Sequence, residues 1–178
     1  ITAFDDLARV SEIDAIVVGL ELNQYTSLSE MSAFNRSWDY ANLISLYQEV
    51  YSAVKAQNSA IDVGPSVSWP SLKLDLVPQV AAEFDLKENN LLTLEIALRR
   101  TVWPFLWDGS QASADFVGVA LFARTAEAPY LGNPAPEDLT PIREFYRELP
   151  QIAAHPELET PLPIAITSID WSTINNAS

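Results

Sequence analysis

Glu21 lies near the end of one apolar run, Ala15-Ile16-Val17-Val18-Gly19-Leu20-Glu21-Leu22-Asn23, and Ser168 and Asp170 near the end of another, Pro163-Ile164-Ala165-Ile166-Thr167-Ser168-Ile169-Asp170-Trp171. A carboxyl at the tip of a buried segment is chemically informative. Burial disfavours its charged form unless a partner offsets the loss of water, and that tuning makes general acids and bases. A structural carboxylate with a partner is the plain alternative. Ser168 offers a hydroxyl, and Asp170, two residues on, shares a strand face with it if the strand continues. To act as a nucleophile Ser168 would need a base. The chain's only histidine, His155, falls in the segment leading into this run, so at the opposite end of the strand. No Gly-x-Ser-x-Gly elbow surrounds the serine. A Ser-His-Asp hydrolase is rejected on those grounds.

Composition removes further classes. There is no cysteine, so disulfides, thiolate catalysis and cysteine-ligated metals are excluded. With a single histidine, no ordinary zinc site is expected, and Glu137 and Asp138 read as an exposed acidic loop rather than a calcium site. No cofactor is expected. The net charge of −14 repels phosphate backbones, so nucleic acid is not an expected partner, while neutral ligands such as sugars remain compatible. No apolar run approaches the roughly 20 residues of a membrane span. At 178 residues and 48% hydrophobic content, the chain suits a single domain with a real core. Beginning at Ile1, it reads as a processed product or a portion of something longer.

The elements that must position these residues alternate. Residues 2–12 read as a helix, with Thr2 and Asp5 resembling a capping box, and 14–22 as the first strand. A Ser- and Asn-rich loop spans 24–37. Tyr40, Leu43, Ile44, Tyr47, Val50, Tyr51 and Val54 then recur at helical spacing, with Ser37 or Asp39 as cap. Residues 60–68 form a second strand, with Pro65 predicting irregularity in its later half. Residues 69–88, with Pro70 and Pro78, give no clear pattern. A helix at 90–102 ends or kinks at Pro104, and 115–122 is a third strand. After a long Pro- and Gly-bearing loop, Thr140-Pro141 starts a helix to about 153, and 162–167 is the fourth strand. Apolar strands separated by helices predict a parallel sheet, with its longer loops on the carboxyl side where α/β barrels hold function.

Val18-Gly19-Leu20-Glu21-Leu22-Asn23 resembles the fourth strand of clan A glycoside hydrolases, whose (β/α)8 barrels hold an acid/base Glu at that strand's end. The segment from Leu46-Tyr47-Gln48-Glu49-Val50 to Asp62-Val63-Gly64-Pro65 is similar to the next helix and strand of galactanase-like bacterial members. Asp115-Phe116-Val117-Gly118 resembles their sixth strand. Pro163-Ile164-Ala165-Ile166-Thr167, then Trp171, resembles the seventh, where the pattern is Pro-Ile-x-Ile-Thr-Glu-x-Gly-Trp. The resemblance covers strands four to seven, nearly the whole chain.

It implies an α/β fold of parallel βα units, a partial TIM-type barrel in one domain over residues 1–178. A whole barrel takes about 250 residues, so a small open α/β sheet is the alternative. It implies action on, or binding of, β-linked glycans, with Glu21 as acid/base. Ser168 stands where the nucleophilic Glu is expected and Asp170 where the family has Gly. Natural loss of the nucleophile, deliberate substitution and a shifted alignment all remain open, and Asp170 is the alternative carboxylate. Hydrolysis is therefore expected to be impaired, and the rival reading is a non-catalytic carbohydrate-binding or structural subunit. Asn23, Tyr25, Trp69 and Trp171 are the candidate substrate contacts; for Asn23 and both tryptophans, packing is the competing role. Open sheet edges imply a partner chain or self-association. The resemblance implies an extracellular or periplasmic location.

Overall fold

The computed structural model describes residues 12–23, 33–122 and 140–170. Four strands alternate with helices: β1 (Ala15–Val18), α1 (Ala33–Gln57), β2 (Asp62–Ser68), a helical segment ending in α2 (Val77–Phe84), α3 (Leu91–Thr101), β3 (Val117–Phe122), α4 (Thr140–Ile152) and β4 (Ile164–Asp170). The sheet is wholly parallel, in the order β1-β2-β3-β4. Neighbouring parallel strands that follow one another in sequence must each be joined by a crossover.

The two faces differ in kind. Ile16, Val18, Val63, Val67, Val117 and Val119 are buried together and join the helices in one core. From α1, Tyr40, Tyr47 and Val54, one heptad apart, are buried, with Val50 between them. Each such side chain contributes about 1.5–3 kcal/mol when removed from water. The opposite face carries small residues: Gly64, Ser66 and Ser68 on β2, Gly118 and Ala120 on β3.

That small-residue face is concave around β3. Ser66 Oγ and Thr167 Oγ1, from β2 and β4, lie 3.0 Å apart. Strands two positions apart in a flat sheet are separated by about 9.6 Å, a span two such short side chains do not bridge. Gly118 lies between them, and a Cβ there would come within 2.6 Å of Thr167 Cγ2. The absence of a side chain at Gly118 is what lets the flanking strands meet. The register also slips at this point: Val119 pairs with Ile166 but Ala120 with Ser168, leaving Thr167 as the extra residue of a β-bulge.

Several boundaries differ from those expected. β1 stops at Val18 rather than running to Leu22, and Leu20 is 77% exposed. Gly19 takes φ +76°, which breaks the strand. α1 includes Ala33 to Gln57, so Ser37 and Asp39 lie inside it rather than at its cap. β2 is regular through Pro65, which sits opposite Val18 where β2's pairing passes from β1 to β3. The unreadable stretch after β2 is helical as far as Phe84: an α-turn at Trp69–Ser71, a π-helical turn at Leu72–Leu76, then α2. α3 begins after Asn90, whose side chain accepts from the Leu92 N–H. β4 continues to Asp170, beyond the expected end. The helix expected at 2–12 lies outside the described residues, apart from its last position.

The amino end of the sheet is held by Asp115. Its carboxylate accepts from the Val63 N–H at 2.8 Å and the Tyr51 hydroxyl at 3.4 Å, and pairs with Lys55 at 3.0 Å. The Asp115 N–H donates to the Val63 carbonyl at 2.8 Å. Partial burial, then the adjacent Asp115 charge, pushes the Tyr51 phenol up to about 12. These contacts tie α1, β2 and the start of β3 together at the amino end of the strands.

Candidate functional site

Glu21 and Ser168 are both carried by the carboxyl-terminal end of the parallel sheet. Glu21 lies just beyond β1 and Ser168 near the end of β4, so the two positions belong to opposite edge strands of the four-stranded sheet. Open parallel sheets and barrels alike bind ligands at this end. His155 precedes β4, at the far end from Ser168.

Glu21 is not a strand residue. After Val18 the chain turns through Gly19 and then through Glu21 itself, at φ +52°. A residue bearing Cβ disfavours that conformation by roughly 1–2 kcal/mol, so its surroundings must hold it. Leu22 does part of this by packing against Gly19, where a Cβ would lie 2.3 Å from Leu22 Cδ2. Asn23 anchors the end of the turn to β2. Its Nδ2 donates to the Ser68 carbonyl at 2.8 Å, and its Oδ1 accepts from the Ser68 N–H at 2.6 Å. Asn23 is fully buried. Its expected contact with a ligand gives way to a clamp on β2, because both polar ends of its carboxamide are turned to main chain.

Trp69 is corrected in the same way. It immediately follows β2, as a stacking residue would, but it is completely buried. The Lys73 ammonium sits 5.7 Å from its ring centroid, one turn further along. An aromatic platform for sugar requires an open ring face, and Trp69 has none. Ser168 and Asp170 are located by strand register: Ala120 pairs with Ser168 and Phe122 with Asp170. Tyr25 and Trp171 lie outside the described residues, as do Glu137 and Asp138.

Sequence reading did not find the pair formed by Lys73 and Glu148. Lys73 Nζ donates to Glu148 Oε2 at 2.6 Å, with side chains 7% and 4% exposed. Arg147 reaches the other carboxylate oxygen at 3.1 Å. A groove of about 270 Å³ runs beside the pair, walled by Leu74, Val77 and Pro78 with Glu88 and Asn89 also lining it. Lys73 lies in the π-helical turn, a form often found where helices serve a function. The stretch around position 73 gives no clear pattern in sequence, and nothing there links it to 148.

Among the described residues, no group of acidic, histidine or cysteine side chains is arranged to hold a metal ion. Among them too, no helix is long and apolar enough to cross a membrane.

The fold defines an α/β protein with a four-stranded parallel sheet and helices between the strands. The chain matches no family model, no curated protein and no solved structure.

Proposed function

We propose that the chain is a portion of a glycosidase-type (β/α) barrel that acts on or binds β-linked glycans, with Glu21 in the acid/base position and hydrolysis impaired at position 168. The observation that carries this reading is the Ser66–Thr167 contact across Gly118, which requires a sheet curled toward the face that a barrel would enclose. The strand order supports it as well: a doubly wound sheet reverses its order at a switch point, whereas this one runs sequentially. The sequence resemblance supplies the glycan.

Retaining glycosidases hold two carboxyls about 5–5.5 Å apart, one to protonate the leaving oxygen and one to attack the anomeric carbon. Ser168 carries no charge to stabilise an oxocarbenium-like centre and is shorter than the Glu it replaces. Asp170 is the nearest carboxylate in the same strand. The serine favours the second reading, a non-catalytic carbohydrate-binding or structural subunit. Under either reading, the outer edges of β1 and β4, unpaired among the described residues, are covered by further chain, a partner or a second copy. An exported location belongs to the same proposal.

The test is release of reducing ends from a panel of β-glycans by the parent and by Glu21→Gln, with calorimetric binding to the same glycans. Turnover lost in Glu21→Gln with binding retained supports a catalytic Glu21. Equal turnover in the two removes that role. Binding without turnover in either favours the module. Absence of binding and of turnover across the panel ends both readings.

A further inference from the structure

We infer that Asn23 is a positioning residue of the candidate site, fixing the span between Glu21 and the strand position of Ser168. The inference rests on reading those two residues as the chemistry-bearing positions. Its geometry does not depend on which glycan is taken.

The pairing of β1 with β2 ends at Val18 opposite Pro65. Beyond it the chain turns through two left-handed residues, Gly19 and Glu21, and no strand ladder holds them. β2, however, continues to Ser68 and pairs there only with β3. Its β1-facing side would be left without partners past Pro65. Asn23 fills that position: one carboxamide satisfies both the N–H and the carbonyl of Ser68, at 2.6 and 2.8 Å, and so stands in for the missing strand residue. The clamp reaches further than β2. Ser68 pairs with Ala120, and Ala120 pairs with Ser168. Glu21 is thus two residues from a side chain bonded to the first member of the row Ser68–Ala120–Ser168. Movement of the Asn23 end of the turn relative to that row requires breaking the Asn23 hydrogen bonds.

The chain has no cysteine, so two introduced cysteines can be labelled cleanly. Leu20→Cys and Ile166→Cys use exposed positions, 77% and 42% accessible, one residue before Glu21 and two before Ser168. Nitroxides at both sites, measured by pulsed dipolar spectroscopy, report that span directly. The parent is expected to give one narrow distance distribution. Asn23→Ala is expected to broaden it about twofold, as the turn samples conformations that the clamp excluded. Asn90→Ala is the control, because it removes a side chain that caps α3 away from the site. Asn23→Asp keeps the acceptor for the Ser68 N–H but loses the donor, and is expected to broaden the distribution to an intermediate degree.

An unchanged distribution in Asn23→Ala overturns the inference, as does equal broadening in Asn90→Ala, which would report general loosening. If Asn23→Ala does not fold, Asn23→Asp decides in the same way. The measurement uses no glycan. Failure of the glycan assays with a broadened span sinks the function and leaves the clamp, while the reverse outcome sinks the clamp alone.

Discussion

Asn23 and Ser68 hold each other by two hydrogen bonds, side-chain amide to carbonyl at 2.8 Å and main-chain N–H to side-chain oxygen at 2.6 Å, with both residues fully buried. The pair fastens the turn that carries Glu21 to the end of the neighbouring strand. Removing the side chain strands two buried main-chain groups. Asn23→Ala is therefore expected to destabilise the protein by about 2–6 kcal/mol, from a penalty of ~1–3 kcal/mol per unsatisfied group. Urea unfolding should show a lower midpoint with an unchanged slope.

The Lys73–Glu148 pair tests a different balance. Glu148→Ala leaves a buried ammonium without its carboxylate and is expected to cost about 3–5 kcal/mol. The double replacement Lys73→Met with Glu148→Leu removes both charges and is expected to recover most of that loss. A double-mutant cycle by chemical denaturation measures the coupling. A double variant as unstable as the single one would show that packing, not charge, holds this contact.

Gly118 is sterically committed. Gly118→Ala drives a methyl against Thr167 Cγ2, 2.6 Å from the ideal Cβ position, and within 3.1 Å of the Pro65 carbonyl. The expected cost is about 1–3 kcal/mol from overpacking. Thr167→Ser removes the opposing methyl and keeps the hydroxyl that meets Ser66, so it should relieve part of the strain. Thermal unfolding of the two single variants and the double variant tests whether the curled sheet is the cause.

His155 gives the stability a pH dependence. Its ring packs between Trp107, stacked at 5.8 Å, and Trp103 at 5.5 Å, and its Nδ1 accepts from the Glu157 N–H. Burial, with a smaller push from Arg99, holds its pKa below the usual histidine value. The unfolded chain then binds the proton more readily than the folded one, so this contribution makes stability rise with pH. It is complete above the unfolded value near about 6.5 and is lost as pH falls from there toward the lower folded value. Replacing His155 with Phe should flatten that part of the profile in denaturation measured from about pH 4.5 to 8, a window set about the ordinary histidine pKa.

Much of the scaffold was legible because it depends on local periodicity. The α1 stripe of Tyr40, Tyr47 and Val54, the Asn90 start of α3, the apolar run of β3 and the βα alternation all arise from spacing over a few residues. The stretch from Trp69 to Phe84 was illegible because its prolines fall at the first turns of helical pieces, where they are tolerated. Residue type likewise predicted a strand through Leu22 but could not anticipate left-handed backbone at Gly19 and Glu21.

The sequence by itself determined an acidic, cysteine-free α/β chain with parallel strands and a carboxylate following the first of them. Tertiary structure alone decided that Asn23 faces main chain, that Trp69 is sealed beneath Lys73, that Lys73 meets Glu148 and that Thr167 is a bulge residue reaching Ser66. The Asn23–Ser68, Lys73–Glu148 and Ser66–Thr167 contacts join residues 45, 75 and 101 positions apart. Periodicity records which face of an element is apolar. It does not record which distant face that element will meet, because the choice depends on the shape of the whole packed core.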